Sequence, residues 1–428
     1  MEDVAQGHIE TDDGRRVCDL TQHEISENTS LLNSSKIFSL ELGEGPYQID
    51  FTENGRYICL VGSRGHAAGF DRLTKRLLFE RGFEDEAHDT VWLHNESIFA
   101  CAQKNFVYLY DRDGVEIHQL QEHKQPRKLQ FLPHHFLLVS GSEGGALFYH
   151  DVSTGQLVSS HKEAPLCSMA QSRSNGVVET GHKNGTVNFW SPSTPAPLMK
   201  MLCHYGPVCS VGASLDGTKL VTAGLDRRMR IWDLRTLGLV DEYKTGQPVR
   251  TLSVSQTGMV ATGYGDRVAT WQNVFSQRQS EPYIVHRTNK DGVSAVKFCG
   301  FDDVLGVGTG RRVENILVPG SAVPSFDAME ANPFETPKQR QELEVKRLLE
   351  KLPAEMIRME SVITGKIAAE QDKGETPEEE AERRVPKKLA PRRREHELKK
   401  TADLIRKVRQ EAARAAPKKS GLERFRKE

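Results

Sequence analysis

Three side chains in the middle of this chain could do acid–base or nucleophilic chemistry. His204, Thr222 and Asp226 have the outline of a hydroxyl nucleophile, a base and an orienting carboxylate. With Trp232 added, the same residue types make a buried hydrogen-bonded tetrad instead. In that reading Asp226 holds the His204 imidazole, the indole N–H of Trp232 finds an acceptor, and a turn is fixed to a strand. The tetrad accounts for all four residues and leaves no spare catalytic group. Gly306-Val307-Gly308-Thr309-Gly310 has the glycine spacing of a phosphate loop. It lacks the Lys-Ser/Thr pair and the following helix, and so reads as a strand and turn. His66, His118, His123, His134 and His135 are scattered without a helical i, i+4 pair, and metal binding is not expected. No carboxylate pair stands in an acid/base context. We expect no enzyme, no cofactor and no small-molecule substrate.

Such a tetrad needs a scaffold, and the chain repeats one. The string ending at Trp232-Asp233 has weaker copies ending at Phe70-Asp71, Tyr110-Asp111, His150-Asp151, Trp190-Ser191 and Trp271-Gln272. Successive lead residues are 40, 40, 40, 42 and 39 apart. A period of about 40 with an aromatic-Asp pair closing a strand marks a WD-type β-propeller. Turn signals fit: Glu53-Asn54-Gly55, Asn184-Gly185 and Asp216-Gly217 separate β-rich runs, and Asp113-Gly114 and Ser153-Thr154-Gly155 join third strands to fourth strands. Repeats fall near 46–85, 86–124, 125–164, 165–205, 206–246, 247–290 and 291–323. The last has three clear strands. Lys36–Glu41 has no repeat of its own, and pairing it into the last blade would close the ring and remove exposed sheet edges. The expected fold is an all-β, seven-bladed propeller with a helical, basic C-terminal extension. The sixth repeat ends in Trp271-Gln272, so its blade is expected to be irregular.

The expected organisation is an N-terminal extension over 1–35, a propeller over 36–323, a helical segment over 324–370, an acidic linker over 371–385 and a basic tail over 386–428. In the first part, Thr21 and Glu24 fit a capping box, with Ile25 and Leu32 on one helical face. After Asn332-Pro333, Thr336 caps a helix with Pro337 at its first position and Gln339 completing the box. Val345, Leu348, Leu349 and Leu352 follow at i, i+3, i+4 and i+7, a stripe that must dock on something. Pro353 ends or kinks that helix.

The whole chain of 428 residues carries a net charge of −1. Residues 386–428 hold 16 Lys/Arg against 6 Asp/Glu, a net of +10, so the first 385 sum to −11. Lys387, Lys388, Arg392, Arg393, Arg394, Lys399, Lys400, Arg406, Lys407 and Arg409 are the candidate RNA- or partner-binding residues, able to neutralise phosphates. Arg394–Ala413 reads as a helix with Leu398, Ala402, Ile405, Val408 and Ala412 on one narrow stripe. There is no RNP motif, KH loop or zinc knuckle, so binding should follow charge and shape rather than base identity. The seven Cys form no CxxC pair, which fits reduced thiols packed as small hydrophobes. Met1–Gly7 lacks the features of a signal peptide, and no run approaches 18 apolar residues, so no membrane association is expected.

Several strings together resemble one WD-repeat family. They include Gly65-His66-Ala67-Ala68-Gly69-Phe70-Asp71, Phe131-Leu132-Pro133-His134-His135, Gly224-Leu225-Asp226-Arg227, Val318-Pro319-Gly320-Ser321 and the segment from Ala331-Asn332-Pro333-Phe334-Glu335 to Leu352-Pro353-Ala354-Glu355-Met356-Ile357. The chain is similar to the nucleolar BING-four-type family of small-subunit processome components. That resemblance implies a non-enzymatic scaffold in the nucleus and nucleolus. Its partners would be other processome proteins, WD-repeat proteins among them, with pre-rRNA and/or snoRNA. Trp232-Asp233-Leu234-Arg235 also resembles the WDxR signature of cullin-RING ligase substrate receptors, which defines the rival reading.

Overall fold

The computed structural model describes residues 9, 11, 14–323, 331–359, 406 and 407. The described residues form seven four-stranded antiparallel sheets. Six are built from consecutive strands, and the inner strands touch in sequence around a closed ring. In the seventh blade, Val293–Phe298, Val304–Thr309 and Arg312–Leu317 are joined by Phe38–Glu41 as the outermost strand. Phe38 pairs with Asn315 and Glu41 with Arg312. The chain thus closes its own ring with a strand from near its start, which leaves no open sheet edge at the seam.

Strand chemistry follows radial position. The second strands are buried on both sides: every residue of Tyr57–Gly62, Leu137–Ser142 and Val304–Thr309 is buried. They are rich in Val, Leu, Gly and other apolar or small residues, as strands buried on both faces between packed sheets require. Outer strands such as Gln156–Lys162 alternate exposed with half-buried positions, and of these seven residues His161 alone is buried. Inner strands are fastened blade to blade by polar side chains on neighbouring backbone. Asp50 accepts from the Trp92 N–H at 2.8 Å and pairs with Lys297 at 2.7 Å, linking blades 1, 2 and 7. Asp89 accepts from the Leu129 N–H, Ser168 donates to the Val208 carbonyl, and Ser253 accepts from the Phe298 N–H. These bonds satisfy backbone groups facing the channel.

Two sequence expectations change in detail. The N-terminal extension makes two short helices rather than one: α1 (Gln22–Glu27), with its Thr21–Glu24 capping box, and α2 (Leu31–Ser34). Ile25 is buried in the core while Leu32 is exposed, so they do not share a face. Asn28 caps the end of α1 and Ser30 caps the start of α2. Blade 6 keeps four regular strands, and its irregularity is confined to the long connection from Trp271 to Ile284. Gly306–Gly310 is a buried strand and turn of blade 7.

Candidate scaffold interface

A propeller has two unlike faces. One is made by turns joining inner to second strands and third to outer strands. The other is made by turns joining second to third strands and by the loops between blades. Residues 331–359 lie on the first face and cross four blades. On blade 1, Arg56 donates to the Pro333 carbonyl at 3.2 Å, and Arg347 pairs with Glu53 at 3.1 Å. On blade 2, Arg340 pairs with Glu96 at 2.6 Å, Arg347 donates to the His94 carbonyl at 2.8 Å, and His94 donates to Glu344 at 3.2 Å. On blade 3, Lys351 pairs with Asp151 and Ser153, the Leu352 N–H donates to the His134 carbonyl, and His135 donates to the Leu352 carbonyl. On blade 4, Ile357 is 0% exposed against Val177, Phe189 and Trp190, and Ser191 donates to its carbonyl at 2.8 Å.

The strap is therefore ionic along its helix and apolar at its far end. Its helix, α3 (Pro337–Leu349), starts with the Thr336–Gln339 capping box and Pro337 in the first turn. Arg340, Glu344, Arg347 and Lys351 face the propeller. Within the helix, Arg340, Glu344 and Arg347 keep the i, i+4, i+7 spacing of a helix seam, filled here by charges, and Lys351 adds a contact just past the helix end. Sequence reasoning singled out the apolar stripe of this helix and assigned no role to these charges or to Ile357. The spacing was the available signal. Burial depresses the His94 pKa below its ordinary value, with Glu344 pulling the other way. Burial depresses His135 also, against its hydrogen bond to the Leu352 carbonyl. Burial, with the charge of Glu96, raises Glu335. For Asp151, burial acts upward, but Lys351 and Ser153 outweigh it and hold the carboxyl below its usual range.

The stripe read from the sequence points away from this seam. Val345, Leu348 and Leu349 are exposed on the outer side of α3. Leu352 lies beyond the helix, which stops at a Glu350 cap, and is exposed too. Nearby, a cavity of about 470 Å³ opens between α2, the Gly300–Asp303 turn and Pro333-Phe334.

In blade 5, the His204 Nδ1–H donates to Asp226 at 3.1 Å. Its Nε2 accepts from Thr222 at 2.9 Å, and the Trp232 indole donates to Thr222 Oγ1 at 3.0 Å. Thr222 and His204 are buried, so this network is a clamp between loop and strand. Burial holds the imidazole below its ordinary pKa despite the Asp226 carboxylate. Other blades improvise. In blade 4, Glu163 pairs with His182 at 2.8 Å and accepts from Thr180 at 2.9 Å. In blade 3, His123 bonds Ser140 at 2.6 Å. Arg235 of the WDxR-like string turns back onto Asp233 at 3.1 Å. Of the basic tail, Arg406 and Lys407 are helical and exposed. Lys387, Lys388, Arg392, Arg393, Arg394, Lys399, Lys400 and Arg409 lie outside the described residues, as do residues 371–385.

The fold and its strap define a WD-repeat propeller with a specialised closing segment. Residues 282–360 match the family model described as the BING4CT (NUC141) domain, and residues 196–233 match the WD domain, G-beta repeat. The first match begins at the outer strand of blade 6, takes in the closing blade and ends just after Ile357, so it describes closure and strap together. The chain belongs to the BING4CT-type WD-repeat family. It is 40% identical over 367 residues to U3 small nucleolar RNA-associated protein 7 of Saccharomyces cerevisiae, covering 81% of this chain and 66% of that one. It is 41% identical over 358 residues to WD repeat-containing protein 46 of Mus musculus, covering 82% and 57%. The human protein of that name is 40% identical over 366 residues, covering 82% and 58%. The chain thus spans between about half and two thirds of the length of these relatives. None of them is named as a ligase receptor. A chain of a mitotic checkpoint complex crystal structure shares the fold, with TM-score 0.57 and 16% identity over 66% of this chain and 91% of that one.

Proposed function

We propose that the protein is a non-catalytic scaffold of the small-subunit processome, acting in nucleolar small-subunit pre-rRNA processing. The observation that carries this reading is 40% identity, over 81% of the chain, to a relative named for its association with U3 small nucleolar RNA. The architecture supports it. A ring fastened blade to blade changes shape little on binding, and so presents fixed faces to its neighbours. The outer stripe Val345, Leu348, Leu349 and Leu352 docks on another processome protein. The basic residues from Lys387 to Arg409 neutralise phosphates of pre-rRNA or snoRNA. The buried tetrad of blade 5 serves stability.

Gradient sedimentation of the tagged chain from nuclear extract, before and after RNase, tests the reading. Migration in a large RNase-sensitive particle carrying small-subunit pre-rRNA is the expected result. Migration as a small RNA-free complex overturns it. Removing residues 386–428 should flatten the salt dependence of RNA binding, since each phosphate contact with single-stranded RNA contributes about 0.7 to the logarithmic slope.

A further inference from the structure

The open face carries an exposed aromatic ring that the scaffold reading does not use. Tyr205 sits in the loop between blades 4 and 5 and is 92% exposed. Its loop is held firmly. The Cys203 and His204 N–H groups both donate to the Gly185 carbonyl at 3.0 Å, and the Leu225 N–H donates to the Pro207 carbonyl at 3.0 Å. A Cβ on Gly185 would collide with the His204 carbonyl oxygen, so the Lys183–Gly185 turn packs directly on the Tyr205 loop. The next turn, Leu225–Arg227, flanks its other side. Arg230 lies buried beneath, its guanidinium 6.0 Å from the Tyr205 ring centroid.

The charges around this ring are unbalanced. Asp226 is taken by His204 and Arg230, and Glu242 by Arg228 and Arg230. Lys183, Arg227 and Arg250 are exposed, and none is in an ion pair among the described residues. Lys183 acts on the Cys167 thiol and Arg250 on the neighbouring Cys209 thiol. Those thiols lie at the same ends of the inner strands of blades 4 and 5. The result is an exposed ring on a firmly held loop, with a buried guanidinium 6.0 Å from its centroid and unpaired cations on the neighbouring turns.

We infer that this patch is a stacking site for one unpaired base of single-stranded RNA, with Tyr205 as the platform and Lys183, Arg227 and Arg250 holding the flanking phosphates. An aromatic face accepts any base, and cations track the backbone. Arg230 supports the far side of the ring as a cation–π partner. An acidic protein segment would satisfy the cations but would leave the exposed ring without a stacking partner. The inference rests on the reading that this chain contacts RNA, and it places a second contact on the propeller, apart from the basic tail.

The test uses the full chain and a fluorescein-labelled oligouridine of about twelve nucleotides. Its 5-iodouridine form serves for photocrosslinking. The wild-type chain should crosslink at Tyr205. Tyr205→Ala should weaken binding about tenfold, in the range found for loss of one stacked base. Tyr205→Phe and Tyr205→Trp should restore it, which a merely structural role for the hydroxyl would not allow. A duplex RNA of the same length should be unaffected by Tyr205→Ala. If crosslinks fall only in the tail and Tyr205→Ala leaves oligouridine affinity unchanged, the patch is not an RNA site. If, in addition, a poly-glutamate peptide loses binding on Lys183→Glu with Arg227→Glu, the face binds acidic protein and the inference is wrong. If the wild-type chain binds no RNA at all, the RNA-contact reading fails along with it.

Discussion

The two faces of this propeller are made by different sets of turns and are finished differently. On one, residues 331–359 satisfy turn carbonyls, pair with His94, Glu96 and Asp151, and bury Ile357 in blade 4. On the other, tight loops hold each other, and cations such as Lys183 and Arg227 stand in solvent. The first face is finished by the chain itself and offers a partner the outside of its strap. Among the described residues, no segment is laid across the second, which presents its own loops. In this propeller the segment laid across one set of turns adds to the difference that the turns already make.

That difference can be broken most forcefully at the apolar end of the strap. Ile357→Asp buries a carboxylate with no compensating partner, and should cost about 4 kcal/mol or more. Limited proteolysis should then release 331–359 while blades 5 to 7 stay protected. Arg340→Ala should cost about 3 kcal/mol by chemical denaturation, because Glu96 is 1% exposed and would be left charged without its cation. Adding Glu96→Gln should recover part of that loss. Asp226→Ala on the open face should cost about 2 kcal/mol through the unpaired buried His204, with strap proteolysis unchanged.

Acidification separates the faces more gently. His94 and His135 have folded pKa values below the ordinary 6.5, so the released strap binds more protons than the docked one. Strap docking should hold steady above about pH 7 and weaken as pH falls through 6.5. Glu335, whose pKa is raised, opposes this only as pH approaches 4.5. Protease release of 331–359 measured from pH 8 to 5 checks the sign, and release that declines over this range would contradict it. The smallest effect on stability is expected outside the strap. Leu349→Glu, at a position 82% exposed, should change unfolding by less than about 0.5 kcal/mol while removing a protein partner from the purified particle.

The ring was legible in the sequence because most blades repeat one local solution at a spacing of about 40: a ring-bearing residue closing a strand, often followed by Asp, with a turn and a β-rich run. The seventh blade was legible because Lys36–Glu41 had no other place. The strap was half legible. Thr336, Pro337 and Gln339 announce a helix start by local chemistry, and they form it. Which side docks was not legible, because apolar residues were expected to face inward. Here Arg340, Glu344, Arg347 and Lys351 find fixed partners on turns that are far away in sequence. The split between α1 and α2 was hidden for a related reason: Ile25 and Leu32 keep helical spacing, while Asn28 and Ser30 cap two separate helices. Tyr205 was passed over because an isolated tyrosine in a loop carries no pattern. Only the folded arrangement of Lys183, Arg227 and Arg230 around it gives it meaning.

The most direct test of a two-faced scaffold is to map RNA and protein crosslinks separately on the chain within its native particle. The account predicts protein crosslinks along α3 and the Leu352–Ile357 segment, with RNA crosslinks at the Lys183–Arg227 face and in the basic tail. RNA crosslinks concentrated on the outside of α3, with protein covering Tyr205, would contradict it.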